Sequence, residues 1–208
     1  MWELGLSYGE SGIGSAVDKH LMGSFPTLAR AIHAAAQLGE GPPQRVVLVH
    51  PSGMSVTELG RVVGELAIAG ITDDDVQLLT DIDVLHRLTG DRVLLIDADR
   101  DLLTIYPGRS EPFDADRVAA LVAEHPYDTT VALTGHPELR DRYHVAVRDH
   151  APMIVERPAL AALALQVPET TAFSSTPRTA GALRGRPLSP WILVLVPVAA
   201  VILLILLL

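Results

Sequence analysis

Two carboxylates stand one residue apart directly after an apolar segment of the chain. Asp97 and Asp99 follow the run RVLLI, which has the composition of a buried strand. Carboxylate oxygens at this spacing are suited to hold a divalent metal beside a diphosphate, so the pair is a candidate metal site. The alternative is structural, because acidic residues are common in hairpin turns and a second apolar run begins at Leu102.

The other residues able to do chemistry form no catalytic motif. There is no cysteine, so a disulfide framework, a thiol nucleophile and cysteine-ligated zinc are excluded. The eight histidines are scattered without HExxH spacing, and the chain has no P-loop or GxGxxG. His50 follows an apolar run and either faces a cleft or is packed and hydrogen-bonded. Ser52 lies in HPSG, which is not a GxSxG nucleophile elbow.

The elements that must position these residues alternate between short apolar runs and segments of helical periodicity. The apolar runs predict strands, and apolar residues three or four apart predict helices. The predicted strands are 1–7, 13–17, 45–50, 76–80, 92–97, 102–106, 129–134 and 153–155, with a loop at 107–112. One predicted helix begins near residues 24–26. The others cover residues 55–69, 81–88, 117–124, 137–150 and 158–165. This alternation predicts an α/β domain over residues 1–165, with a mixed sheet flanked by helices and right-handed crossovers.

Several helix ends carry their own signals. Ser55 and Glu58 fit a capping box, and Asp114 is placed to cap the helix that follows it. Gly70 and Gly90 stand where helices end. The three aspartates at 73–75 predict an exposed turn.

The net charge restricts the partners. The chain carries a formal charge of −9 at pH 7, whereas nucleic-acid-binding surfaces are basic. We therefore expect no nucleic acid, and we expect membrane lipid and another protein as partners.

The segment at 189–208 has the composition of a membrane span. From Pro190 to Leu208 no residue is charged, and the Trp191 indole is the only polar side-chain group. A helix needs about 20 such residues to cross the hydrocarbon core. We expect one transmembrane helix that serves as the membrane anchor, with Trp191 at the interface and a bend at Pro197.

The charges just before this segment predict its orientation. Residues 166–188 are rich in Thr, Ser, Pro, Ala and Arg without an apolar period, which predicts a disordered linker. Arg178, Arg184 and Arg186 lie in this linker, and only Glu169 opposes them. The positive-inside rule then predicts a tail-anchored, single-pass protein of the plasma membrane with a cytoplasmic N-terminal domain.

The order of the elements resembles the actin-like ATPase superfamily, in particular the nucleotide-binding domain of DnaK-type chaperones. The segment RVVLVHPSGMSVTELGRVVGELAIAGITDDDVQLLTDIDVL, followed by DRVLLIDADRDLLTIY, is similar in order and spacing to the part of that domain that runs into a phosphate loop. TTVALTGHPELRDRYHVAVRDHAPMIVERPALAALAL resembles the closing segment, and MWELGLSYGESGIGSAV resembles the opening hairpin. The chain also resembles reduced, membrane-anchored proteins of actinobacteria, some associated with type VII secretion.

The resemblance implies a reduced actin-like (ribonuclease H-like) fold, with strands in two related halves around a cleft. It implies nucleotide-binding positions at Gly5, Ser7, Asp97 and Gly135. The superfamily's second phosphate loop is Asp-x-Gly-Gly-Gly-Thr, whose glycines let main-chain amides approach phosphate. Here the loop reads DADRD, and its added carboxylates would repel a polyphosphate. We therefore expect a non-catalytic binding or regulatory module, a pseudo-ATPase that uses no cofactor.

Two other functions stay open at this point. The DxD of Asp97 and Asp99 resembles that of nucleotide-sugar glycosyltransferases, which implies a metal-dependent transferase using magnesium or manganese with a nucleotide. It also resembles the aspartyl motif of haloacid-dehalogenase phosphatases, but Asp101 stands where that motif has threonine or valine. The remaining possibility is a purely structural subunit of a membrane assembly.

Overall fold

The computed structural model describes residues 1–18, 20–72 and 75–168. The predicted membrane segment, with Pro190, Trp191, Pro197 and Leu208, lies outside these ranges, as does the predicted linker from residue 169 onward. Two of the three aspartates in the predicted acidic turn also lie outside them. Within the described ranges no helix has both the length and the apolar character that a bilayer crossing requires.

The strands of the described residues form two five-stranded mixed sheets. The first sheet contains β1 (Glu3–Gly9), β2 (Gly12–Val17), β3 (His20–Phe25), β4 (Arg45–His50) and β5 (Val76–Thr80). The second contains β6 (Arg92–Asp97), β7 (Leu102–Ile105), β8 (Arg109–Pro112), β9 (Thr129–Thr134) and β10 (Met153–Ile154). The strand orders are β3-β2-β1-β4-β5 and β10-β9-β6-β7-β8.

The two sheets repeat one topology. In each, the first three strands form an antiparallel meander, and two parallel strands are added beside the first strand. Helices follow the last three strands of each half in the same order. They are α1 (Leu28–Ala36), α2 (Val56–Ile68) and α3 (Asp81–Thr89), then α4 (Ala115–Glu124), α5 (Pro137–Val147) and α6 (Arg157–Ala164). Each half is therefore one βββαβαβα unit, as two related halves require.

The predicted helix ends at Ser55, Gly90 and Asp114 are confirmed. The Ser55 hydroxyl accepts from the Glu58 amide while the Glu58 carboxylate accepts from the Ser55 amide at 2.9 Å, which completes a capping box. Asp114 accepts from the amides of Asp116 and Arg117 at the start of α4. Gly90 ends α3 in the left-handed conformation with φ 72°.

A shared core lies between the two sheets. α3 contacts β6 of the second half, and α6 contacts β1, β2, β3 and β4 of the first half, so each helix packs across the boundary between halves. Apolar residues of both sheets meet these helices in one buried cluster, which includes Val47, Val49, Leu85, Val93, Leu95 and Leu160. Val167 belongs to the same cluster, and Arg45 donates to its carbonyl at 2.7 Å. Separate apolar clusters join α1 and α2 to the first sheet and α4 and α5 to the second.

The sequence predictions were wrong at the third strand of each half. β3 was not predicted, and α1 begins after the cap residue Thr27 rather than near residues 24–26. β8 occupies most of the predicted loop at 107–112. The predicted helix at 137–150 ends earlier, since Arg148–His150 forms a 3-10 turn. β3 and β8 are edge strands rich in polar residues, and they also contain Gly23 and Pro112, respectively. They therefore lack the apolar pattern that predicts a buried strand.

A pair of glycine substitutions tests the close packing of α6 on β1. A Cβ on Gly5 would lie 2.2 Å from the carbonyl oxygen of Ala161, whereas a Cβ on Gly60, at an exposed position of α2, meets nothing within 4 Å. We expect Gly5→Ala to lower the free energy of unfolding by about 1–3 kcal/mol through overpacking. We expect Gly60→Ala to raise it by about 0.5–1 kcal/mol through helix propensity. Thermal unfolding of the full-length variants by circular dichroism measures both, and shifts of the same sign and size would contradict this packing.

Candidate functional site

Equivalent turns of the two halves face each other. The β1–β2 turn carries Glu10 and Ser11, and the β6–β7 turn carries Asp99 and Arg100. The Ser11 hydroxyl donates to the Asp99 carboxylate at 2.6 Å, and Arg100 Nε lies 3.3 Å from the Glu10 carboxylate. Arg100 Nη2 also lies 3.2 Å from the Glu58 carboxylate on α2. The turns are therefore held against each other by direct polar contacts.

One guanidinium lies among three carboxylates beside these turns. Arg157, the first residue of α6, is 5% exposed. Its Nη2 lies 3.3 Å from Asp97 Oδ2 and 4.0 Å from Asp99 Oδ2, and its Nη1 lies 3.9 Å from Asp81 Oδ2. We refer to Asp81, Asp97, Asp99 and Arg157 as the Asp–Arg cluster. It joins the start of α3, the end of β6, the β6–β7 turn and the start of α6.

Main-chain and hydroxyl donors hold each carboxylate of the cluster. Asp81 accepts from the Ser52 amide at 3.0 Å, the Ser52 hydroxyl at 2.7 Å and the Ile82 amide at 2.8 Å. Asp97 accepts from the Asp99 amide at 3.1 Å. These bonds orient the carboxylates, because donors are aimed at Oδ1 of Asp81 and at Oδ1 of Asp97.

Asp99 is bound by residues from both halves. Its Oδ2 accepts from the Ser11 hydroxyl and more weakly from the Ser11 amide at 3.4 Å, while its Oδ1 accepts from the His136 amide at 2.7 Å. His136 is the cap residue at the start of α5. The Asp99 side chain is only 3% exposed, so these donors replace water around it.

Burial dominates the titration of Asp97. Burial raises its pKa, and repulsion from Asp81 and Asp99 raises it further, whereas Arg157 and the Asp99 amide act in the opposite direction. The Arg157 contact alone would predict a low pKa, but one cation cannot balance three carboxylates removed from water. The net effect is a pKa of Asp97 above its ordinary value.

Some buried polar atoms around the cluster have no hydrogen-bond partner within the described part of the chain. They are the hydroxyls of Ser7 and Thr134, both fully buried, and Arg157 Nε and Nη1. Ser7 follows Gly5 by two residues on β1, so both face α6, the helix that begins with Arg157.

The structure brings most of the sequence-predicted site residues to the Asp–Arg cluster. Asp97 and Asp99 belong to it, Ser7 lies on the strand face beside it, and Gly135 directly precedes His136. Gly135 has φ +113°, and a Cβ there would lie 3.1 Å from Asp99 Oδ1. Gly5 instead lies under the α6 backbone.

Sequence reasoning did not find Asp81, Arg157 or Ser11. The one available signal was Asp81 at the carboxyl end of a parallel strand, the edge of a sheet where functional side chains gather. His50 does not join the cluster: it is half-buried, and its Nδ1 lies 3.1 Å from the Pro51 carbonyl.

The predicted metal pair, Asp97 and Asp99, faces a cation that belongs to the chain itself. Both carboxylates lie within 4.0 Å of Arg157. Across residues 1–18, 20–72 and 75–168, no group of three or more His, Asp or Glu side chains is placed to hold a metal ion.

Surface depressions lie away from the cluster. One of about 410 Å³ surrounds the start of β6 and is lined by Gly90, Asp91, Arg92, Glu124, His125 and Asp128. A smaller one of about 200 Å³ lies between the β1–β2 hairpin, α1 and α2, beside Tyr8 and Arg61. Neither includes Asp97, Asp99 or Arg157, so neither opens onto the carboxylates.

Two solved structures are similar to this chain. The ethanolamine utilization protein EutJ from Carboxydothermus hydrogenoformans aligns with a TM-score of 0.53 and 10% identity, over 79% of this chain and 89% of that chain. The activator of the 2-hydroxyisocaproyl-CoA dehydratase from Clostridium difficile, with bound ADPNP, aligns with a TM-score of 0.48 and 11% identity, over 83% of this chain and 100% of that chain. No protein-family model and no curated protein matches the sequence.

The repeated topology and the likeness to EutJ define the class of fold. The chain has an actin-like ATPase-type fold, built here from two mixed sheets and the six helices of the described residues. At 10% identity this likeness concerns the fold alone.

The raised pKa of Asp97 makes a prediction about stability and pH. Well below the ordinary aspartate pKa of about 3.9, Asp97 is protonated in both the folded and the unfolded chain and its burial costs little. As the pH rises through the raised folded-state pKa, the folded protein must release a proton that it holds more tightly than the unfolded chain does, so stability falls.

Asp97→Asn removes this dependence. We expect the variant to gain stability relative to the wild type between acid and neutral pH, by about 1.4 kcal/mol for each unit by which the pKa is raised. Unfolding free energies of the full-length protein measured from pH 4 to pH 8 give the two curves. Asp141→Asn, at an exposed position of α5, is the control and should parallel the wild type. Parallel curves for Asp97→Asn would contradict the assignment.

Proposed function

We propose that this protein is a membrane-tethered, non-catalytic module with a decayed nucleotide-binding fold, which binds or regulates another protein. The observation that carries the non-catalytic part is the position of Arg157. Its side chain lies among the carboxylates of the β6–β7 turn, where the resemblance to actin-like ATPases implies nucleotide phosphates. The chain's own groups therefore take the space that a nucleotide would need.

The packing around Arg157 supports this proposal sterically. A Cβ on Gly14 would lie 2.1 Å from the carbonyl carbon of Arg157, and a Cβ on Gly9 would lie 2.5 Å from Arg157 Nε. The start of α6 thus covers the face of the β1–β2 hairpin that carries these glycines. A phosphate chain placed here would have to displace Arg157 from its buried position.

Charge supports the same conclusion. Three carboxylates and one guanidinium give the ionised cluster an excess of negative charge, and Asp99 uses the donors that would otherwise be available to an anion. Two like charges 4 Å apart repel by about 4 kcal/mol at an effective dielectric constant of 20. A polyphosphate would meet that repulsion at several of its oxygens.

The membrane part of the proposal is supported by the sequence. The uncharged segment from Pro190 to Leu208 provides the anchor, and Arg178, Arg184 and Arg186 before it favour a cytoplasmic domain. A fold without turnover that is held at the inner face of a membrane is suited to recognising a protein partner there. Anionic lipid would attract the same arginines.

Nucleotide titration tests the non-catalytic part. We expect the full-length protein in detergent micelles to show no binding of ATP with magnesium by isothermal titration up to millimolar concentration, and no release of phosphate. A DnaK-type chaperone measured in the same buffer is the positive control. Micromolar binding with turnover would overturn the pseudo-ATPase proposal.

Thermal unfolding of the same preparation distinguishes the proposed binding module from the transferase alternative. That alternative needs a divalent metal on Asp97 and Asp99, and it has less support because the Arg157 guanidinium already contacts both carboxylates. A manganese-dependent rise in unfolding temperature with a nucleotide sugar, abolished by Asp99→Ala, would favour the transferase. We expect manganese to leave the unfolding temperature unchanged.

Protease accessibility tests the tether and its orientation. In membranes washed with carbonate, we expect the full chain to stay in the pellet and a variant truncated after residue 188 to be released. In inside-out vesicles protease should remove the N-terminal domain, and in right-side-out vesicles the domain should be protected. Release of the full chain, or the opposite protection pattern, would refute this localisation.

A further inference from the structure

We infer that Asp99 is an internal ligand: its carboxylate occupies an anion-binding nest formed by both halves of the fold and locks their turns together. This inference deepens the proposed function and rests on it, because it takes the position between the turns to be filled by the chain itself. It identifies what the non-catalytic fold uses in place of a nucleotide.

The nest is formed by donors from two separate elements. The β1–β2 turn supplies the Ser11 hydroxyl at 2.6 Å and the Ser11 amide at 3.4 Å, and the start of α5 supplies the His136 amide at 2.7 Å. Main-chain amides at a turn and at a helix start are the groups by which proteins bind free carboxylates and phosphates. Here both oxygens of one side chain satisfy them.

Three further observations fit a built anion site. The Asp99 side chain is 3% exposed, so it is enclosed as a bound ligand is. The backbone at Gly135, with φ +113°, approaches Asp99 more closely than a residue with a side chain would allow. Arg157 is 5% exposed, and its Nη2, which donates to Asp97 at 3.3 Å, also lies 4.0 Å from Asp99 Oδ2.

Arg100, the residue after Asp99, adds further contacts between the two halves. The Arg100 side chain is 9% exposed and contacts Glu10 in the β1–β2 turn and Glu58 on α2. Asp99 and Arg100 of the second half therefore contact three residues of the first half, Ser11, Glu10 and Glu58.

Chemical rescue with a free carboxylate tests the nest. In the full-length protein we expect Asp99→Ala to lower the unfolding temperature by about 5 °C, because several charge-assisted hydrogen bonds are lost. Sodium formate should restore part of this loss relative to sodium chloride at equal ionic strength, and inorganic phosphate should do so too if the nest accepts either anion. The wild type and Asp141→Ala, at an exposed position of α5, should show no specific effect of formate.

Two outcomes would overturn the inference. Asp99→Ala could be as stable as the wild type, or formate could act equally on all three proteins. If Asp99→Ala does not fold, hydrogen exchange of the wild type decides: the amides of Ser11 and His136 should exchange at least about 100-fold more slowly than unstructured amides, and fast exchange would refute the nest. ATP binding by the wild type would refute the proposed function. If the wild type does not bind ATP and formate does not stabilise Asp99→Ala, this inference alone is refuted.

Discussion

The buried contact between Arg157 and three aspartates is the constraint on which the position of α6 depends. A guanidinium can be buried only where carboxylates and hydrogen bonds compensate its loss of water, and here the carboxylates come from α3, β6 and the β6–β7 turn. This requirement fixes the start of α6 between the sheets. The apolar residues of α6 then complete the shared core.

The alternating elements could be predicted from the sequence patterns, whereas the two related halves followed only from the resemblance to a known superfamily and the third strand of each half was missed. Buried strands such as β4, β6 and β9 are nearly continuous apolar runs, and the helices carry their own caps, as Ser55 and Asp114 show. β3 and β8 have no such pattern, because an edge strand is defined by pairing with one neighbour rather than by burial of both faces. These two strands are equivalent in the two halves, so a single cause explains both errors.

Residues of the Asp–Arg cluster could be predicted from the sequence only where they adjoin an apolar run that predicts a strand. Asp97 and Asp99 end the apolar run of β6 and were found for that reason. Their partners are far away along the chain: Arg157 is 60 residues from Asp97, and Ser11 is 88 residues from Asp99. No local spacing connects such residues, because the contacts exist only after the two halves have packed together.

The glycines of the opening hairpin show why a nucleotide-binding pattern in a sequence does not establish nucleotide binding. Close approach of phosphate and close approach of a helix backbone both require a residue without a side chain. At Gly5 and Gly14 the group that approaches is α6, through Ala161 and Arg157. A chain can therefore need these glycines for packing alone. In the neighbouring turn, Asp99 accepts from the Ser11 hydroxyl and the His136 amide, which are donors of the kind that bind anions, and Arg157 lies 4.0 Å from it.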